Sequence, residues 1–282
     1  MGAEVRQRAG IAAPAQAGKG ALAGMQCVIL CGGFGSRLRA KLRLLAKPML
    51  PIGGRPILWH IMKGYERHGI SDFLLVLGYR GETIKDYFLR YEAYNSDITV
   101  SLSDPCAVEV HRDHLREDWT VTLADTGEKT LKGGRLKRIE KYIEGDTFLL
   151  TYGDGVSDVD VGDVIRFHRS HGRIVTVTGV NPISHFGEMK LDGDRVVRFS
   201  EKSSRRKEYV SGGYFVCNRR LLDYLTPDDD CDLEYGALER LASEGEMMVY
   251  RHDGFWACMD NLRDYEYLNG LWNSGSPPWK TW

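Results

Sequence analysis

Short apolar runs and stripes of helical period alternate along the chain. Gln26 to Cys31 reads QCVILC and stops at Gly32 and Gly33. A short apolar run bounded by glycines predicts a buried strand that delivers its end into a tight loop. After Pro56, residues Ile57, Leu58, Ile61, Met62 and Tyr65 fall at helical spacing, and Gly69 can close that helix in a left-handed conformation. The apolar run FLLVL at 73–77 follows. Strand, loop, helix and strand in this order predict a right-handed parallel crossover.

The same patterns continue. A helix is predicted over 81–92, with Ile84, Tyr87, Phe88 and Tyr91 on one face, and strands near 97–102 and 119–123. The run FLLTY ends at Tyr152 and meets Gly153-Asp154-Gly155, a second buried strand running into a glycine-flanked loop. A helix over 160–171, a strand over 174–180, a hairpin around Asp192-Gly193-Asp194 and a strand over 212–217 come next. The C-terminal part alternates helix 235–244, strand 247–251 and helix 262–273. No repeat or Pro-rich linker interrupts residues 25–282, so they predict one mixed α/β domain, its sheet mainly parallel. Residues 1–24 are Ala/Gly-rich, are broken by Pro14 and carry charge at Glu4, Arg6, Arg8 and Lys19. They predict a disordered tail and lack the apolar stretch of a signal peptide.

Composition adds what the chain is not. With 38 Lys+Arg against 39 Asp+Glu, it lacks the basic field of a protein that holds nucleic acid through backbone phosphates. Nor is there an apolar run long enough to cross a membrane. The six cysteines are scattered without a zinc-site spacing and predict reduced thiols in a cytoplasmic protein.

Ligands of parallel α/β sheets gather at the carboxyl ends of strands, so the loops after Cys31 and Tyr152 are the places to look. LCGGFGSRL sets Gly32, Gly33, Gly35 and Ser36 directly after the first strand, with Arg37 next and Lys47-Pro48 ten positions on. Glycines let backbone amides approach phosphates, and Arg and Lys neutralise their charge. The pattern predicts a triphosphate cradle, against the plainer alternative of a tight turn with solvated basic residues. A dinucleotide site is disfavoured: the third glycine of GxGxxG is missing, and PIGGR stands where a ribose-binding acid belongs. A Walker A loop fails for want of GK[ST]. Asp154 and Asp260 each suit a hard divalent metal, while each could equally serve its own backbone, Asp154 as a turn residue and Asp260 as the cap of a helix starting near Leu262. Glu201-Lys202 by itself reads as a surface ion pair.

Taken in order, LCGGFGSRL, KPMLPIGGRPILWHIM, KGGRLKR, TYGDGVSDVD, HFGEM, FSEK, SGGYFV and FWACMDNLRD resemble the glucose-1-phosphate cytidylyltransferase branch of the nucleotidyl transferase family, over essentially residues 25–282. The resemblance implies a Rossmann-like nucleotidyltransferase core in a homo-oligomer that joins CTP and glucose 1-phosphate into CDP-glucose and pyrophosphate. It also implies Mg2+ between Asp154 and Asp260, and Arg37, Lys47 and Lys202 as the catalytic cations. Tyr152, Gly187, Glu201, Lys202, Gly213 and Trp256 would meet the sugar phosphate. Gly133, Gly134 and Arg135 would form a loop at the nucleobase, beside the Gly32, Gly33, Gly35 and Ser36 cradle. Two departures stand out. Between Arg37 and Lys47 the chain reads LRAKLRLLA where these enzymes usually carry an acidic stretch, and Ser211 and Asn261 replace their usual Asn and Thr. A different sugar phosphate or nucleotide, or a paralogue that binds nucleotide sugar without turnover, therefore stays open.

Overall fold

The apolar runs become neighbouring strands of one sheet, and the helical stripes pack on its two faces. The computed structural model describes residues 24–33, 45–103, 108–111, 117–182, 188–200 and 209–282. Its first half carries β1 (Gln26–Cys31), β2 (Pro51–Ile52), β3 (Arg55–Pro56), α1 (Ile57–Glu66), β4 (Asp72–Leu77), α2 (Gly81–Leu89), α3 (Tyr91–Asn95), β5 (Asp97–Val100), β6 (Val108–His111) and β7 (Thr120–Asp125). The second half carries α4 (Lys132–Arg138), β8 (Thr147–Tyr152), β9 (Gly155–Ser157), α5 (Val161–His171), β10 (Val175–Val180), β11 (Glu188–Asp192) and β12 (Arg195–Ser200). It ends with β13 (Val210–Asn218), α6 (Glu239–Ser243), β14 (Met247–His252), β15 (Trp256–Cys258) and α7 (Leu262–Asn273).

Seven strands form the central sheet in the order β14-β10-β13-β8-β1-β4-β7. β1 pairs in parallel with β4 and β8, β4 with β7, and β10 with β14; β13 runs antiparallel between β8 and β10. The sheet is thus mixed and mainly parallel, as expected. Cys27, Ile29 and Cys31 point into one core, Val28 and Leu30 into the other. Because both faces are covered, the strand reads as an unbroken apolar run. α1 buries Ile57, Leu58, Ile61, Met62 and Tyr65 on the first face, and Gly69 follows it with φ 81°. Leu136, Leu221, Leu233 and Leu241 belong to the second core.

Two expectations change. The helix over 81–92 breaks at Arg90 into α2 and α3. The helix over 235–244 is only α6: Tyr235 (φ −81°, ψ 61°) and Gly236 (φ 168°, ψ −87°) leave helical dihedrals, and the chain kinks there. The tail expected over residues 1–24 lies outside the described residues except for Gly24. Among the described residues no helix is long and apolar enough to cross a membrane, and Cys27, Cys31, Cys217, Cys231 and Cys258 are free thiols.

The C-terminal segment is pinned to α1 through His60, which is 1% exposed. Its Nε2 lies 2.9 Å from the Ile52 carbonyl oxygen, and Nδ1 lies 3.4 Å from Trp279 Nε1, an N–H that can only donate. That contact assigns the proton of a neutral ring to Nε2. Burial, helped by Arg55 and Lys280, lowers its pKa to about 4. The unfolded chain takes up this proton near pH 6.5, whereas the folded one does not until about pH 4. Stability associated with His60 is therefore complete above pH 6.5 and falls by up to about 3 kcal/mol as pH drops towards 4. An NMR titration of the histidines should leave His60 neutral from pH 8 to pH 5. A midpoint near 6.5 would contradict this packing.

Candidate active site

Because β1 and β8 are neighbours in parallel, their carboxyl ends open side by side, and the Gly153 amide donates to the Leu30 carbonyl at 3.0 Å. The approach is close enough to require glycine: a Cβ on Gly153 would lie 2.9 Å from the Pro48 ring and 3.0 Å from the Leu30 oxygen. Asp154 stands in the turn between β8 and β9. β9 pairs antiparallel with β15, Gly155 opposite Cys258, which brings Asp260 alongside Asp154. The Met259 amide locks the arrangement by donating to the Asp154 carbonyl at 2.8 Å. Asp260 is not the helix cap. That role falls to Asn261, whose side chain accepts from the Asp264 amide at 3.2 Å while Asp264 accepts from the Asp260 and Asn261 amides. The Asp260 carboxylate is left to face the cleft.

Lys47, at the start of a 3-10 turn that ends at Met49, fills the gap between the two acids. Its ammonium donates to Asp154 Oδ2 and to Asp260 Oδ1, each at 2.5 Å. Burial alone would lower its pKa; Asp154 and Asp260 outweigh that and hold it above the ordinary lysine value, so it is charged. The neighbouring thiols are inert. Burial raises Cys31, assisted by Asp154, and pushes Cys258 up to about 12, assisted by Asp260 and Asp154. Neither is a thiolate at neutral pH, so the site has charge without a cysteine nucleophile.

Two cavities meet at this charge cluster. The larger, about 430 Å³, is lined by Gly32, Gly33, Lys47 and the segment 129–132. The smaller, about 170 Å³, is lined by Ser211, Gly212, Tyr214, Trp256 and Cys258. Tyr152, Asp154 and Asp260 belong to both.

The sequence-predicted residues distribute unevenly around them. Gly32, Gly33, Lys47, Tyr152, Asp154 and Asp260 are brought together. Trp256 lines the smaller cavity and donates from Nε1 to the Gly212 carbonyl at 2.7 Å. Gly213, with φ 77°, packs under the Tyr152 ring. Gly133 and Gly134 lie in α4 rather than in a loop. Their missing side chains leave room for the backbone of Cys231 and Asp228, 2.8 and 2.1 Å from where a Cβ would stand, and neither glycine lines the cavity. Arg135 reaches the cavity wall, 3% exposed, with its guanidinium spent on protein acceptors: the carbonyls of Leu77, Gly32 and Glu128 and the Thr126 hydroxyl. It therefore ties together the loops that follow β1, β4 and β7. Gly35, Ser36, Arg37, Gly187, Glu201 and Lys202 lie outside the described residues, as does most of the unusual 38–46 stretch.

Sequence reasoning missed Lys132 and Glu234. Lys132 adjoins Gly133 in KGGRLKR and could have been noticed there. Glu234 gives no local signal, because it falls just before the stretch expected to be helix.

The residues 26–269 match the family model for nucleotidyl transferases. The glucose-1-phosphate cytidylyltransferase of Salmonella typhi is 46% identical over 259 residues, 92% of this chain and all of that protein. A probable glucose-1-phosphate cytidylyltransferase of Bacillus subtilis is 41% identical over 258 residues, again 92% of this chain and all of the relative. In fold, the chain is similar to a putative glucose-1-phosphate thymidylyltransferase from Bacillus anthracis, solved in complex with a sucrose, with a TM-score of 0.63 at 17% identity, covering 88% of this chain and 95% of that one. A family match that runs from β1 into α7, together with these relatives and the strand-end site, leads to one conclusion: the chain belongs to the nucleotidyl transferase family.

Proposed function

We propose that the chain joins CTP and glucose 1-phosphate into CDP-glucose and pyrophosphate. The observation that carries this reading is the meeting of two cavities of unequal size at Lys47, Asp154 and Asp260. A nucleotidyl transfer needs that arrangement, because two phosphorylated substrates must bring one oxygen and one phosphorus into contact beside concentrated charge. The names of the relatives, at 46% and 41% identity, supply the substrate pair.

In this reading the larger cavity takes the nucleotide and the smaller one the sugar phosphate. A phosphate oxygen of glucose 1-phosphate attacks the α-phosphorus of CTP in line, and the bond to the β-phosphate oxygen breaks. No general base is needed, since a phosphate monoester is already mostly dianionic at neutral pH. Lys47 neutralises charge that builds on the α-phosphate and on the departing pyrophosphate. Trp256 and Tyr152 shape the sugar side, and Arg37 and Lys202 add positive charge along the phosphates.

The residues also fit a divalent cation. Asp154 and Asp260 already converge on one positive charge, and two carboxylates are what magnesium usually takes from a protein beside water and substrate phosphates. Among the described residues no group of three or more His, Cys, Asp and Glu side chains forms a fuller metal site. When bound there, magnesium would supply Lewis-acid charge to the nucleotide phosphates.

Pyrophosphate release from purified protein with magnesium and glucose 1-phosphate, assayed with each of CTP, UTP, dTTP, ATP and GTP, tests the reading: CTP should be turned over and the others should not. Turnover confined to another nucleotide, or none at all, would overturn the substrate assignment. Lys47→Ala should lower turnover by about a hundredfold or more, the usual scale for one preorganised donor; wild-type rates in a folded Lys47→Ala protein would remove it from the chemistry. In Asp154→Asn the magnesium concentration for half-maximal rate should rise, and an unchanged magnesium titration counts against the metal assignment.

A further inference from the structure

Glu234 lines neither cavity, yet it holds the wall between them. Its Oε1 accepts the Tyr152 hydroxyl at 2.5 Å and pairs with the Lys132 ammonium. That ammonium also lies 5.3 Å from the centroid of the Tyr152 ring. Tyr152 is the partition, since it lines both cavities. Packing fixes one end of the ring: a Cβ on Gly213 would fall 2.5 Å from it, and the Phe215 ring meets it edge-on at 6.0 Å. The other end is fixed by Glu234.

The chain is built to deliver Glu234 to this point. Leu233 is wholly buried, and Asp232 accepts from the Glu234 and Tyr235 amides at 2.8 and 2.9 Å. Upstream, the Leu131 amide donates to the Asp229 carbonyl at 2.8 Å and the Gly134 amide to the Cys231 carbonyl at 2.9 Å. The segment 229–234 is thereby stapled to the start of α4, where Lys132 stands, and its last residue reaches across to Tyr152. The second carboxylate oxygen of Glu234, Oε2, is buried without a hydrogen-bond partner. A carboxylate that leaves an oxygen desolvated and unsatisfied costs the fold stability. Packing alone therefore does not account for an acid at this position.

We propose that Glu234 is a positioning residue of the transfer reaction: by fixing the Tyr152 hydroxyl it sets the shape of the smaller cavity and so the affinity for the sugar phosphate. The inference rests on the reading of that cavity as the sugar-phosphate side. Steady-state kinetics of the full chain with CTP and glucose 1-phosphate test it. Tyr152→Phe and Glu234→Ala should each raise KM for glucose 1-phosphate about tenfold, the scale of one hydrogen bond to a charged group. The KM for CTP should rise by a smaller factor, since Tyr152 and Lys132 also line the larger cavity, and the double variant should be no worse than either single one, because both remove the same contact. Glu234→Gln, which still offers an acceptor to the phenol, should restore most of the affinity; a purely structural role would lower the melting temperature without separating the two KM values. Glu234→Leu, of similar size and without an acceptor, makes the same test should the alanine variant be too unstable to assay. If Tyr152→Phe raises KM for the sugar phosphate and neither Glu234→Ala nor Glu234→Leu does, the role of Glu234 is overturned while the cavity assignment stands. If Tyr152→Phe and Trp256→Ala both leave that KM unchanged, the cavity assignment fails and takes the inference with it.

Discussion

Two carboxylates held within reach of one ammonium group are the constraint around which the site is built. Asp154 and Asp260 would repel each other across the cleft, and the Lys47 ammonium, 2.5 Å from each, is what lets them stand together. The sheet provides the frame. Parallel pairing of β1 with β8 opens two strand ends at one place, the β9–β15 pair carries Asp260 to Asp154, and the turn at Lys47 closes the triangle. The three residues come from distant parts of the chain, 107 positions separating Lys47 from Asp154 and 213 separating it from Asp260. Only the folded sheet makes them neighbours.

Around that triangle, buried charge is used to hold backbone in place. Arg135 has a lowered pKa because it is desolvated, and it satisfies its guanidinium on three carbonyls and the Thr126 hydroxyl rather than on a carboxylate. This solution spares the cavity an extra acid and draws the loops after β1, β4 and β7 towards one point. The 228–234 segment performs a similar task from the other side, packing its backbone where Gly133 and Gly134 lack side chains. Either glycine could be larger in a free helix, but not against this neighbour.

Much of this was legible in the sequence wherever a local pattern carried it. Buried strands show as unbroken apolar runs, so β1, β4 and β8 and the loops after them could be located, and with them Gly32, Gly33 and Asp154. α7 was legible because its apolar spacing is regular, although the cap turned out to be Asn261 and not Asp260. α4 was not: two successive glycines speak against a helix, and only packing on the distant 228–232 backbone overrides their propensity. Glu234 was hidden for a related reason, since the kink at Tyr235 and Gly236 obeys no period that a sequence window can detect. The contact of Lys47 with both acids, the centre of the account, is a tertiary fact with no local signature.

The central feature is one cation position between Asp154 and Asp260, filled by the Lys47 ammonium; under the proposed function that position would pass to a divalent metal when a nucleotide binds. Titration of the wild-type protein with Mn2+, followed by electron paramagnetic resonance with and without CTP, addresses it most directly. The account predicts no stoichiometric Mn2+ binding to the free protein and one tightly bound ion per chain when CTP is present. Equal binding in the two titrations would contradict it.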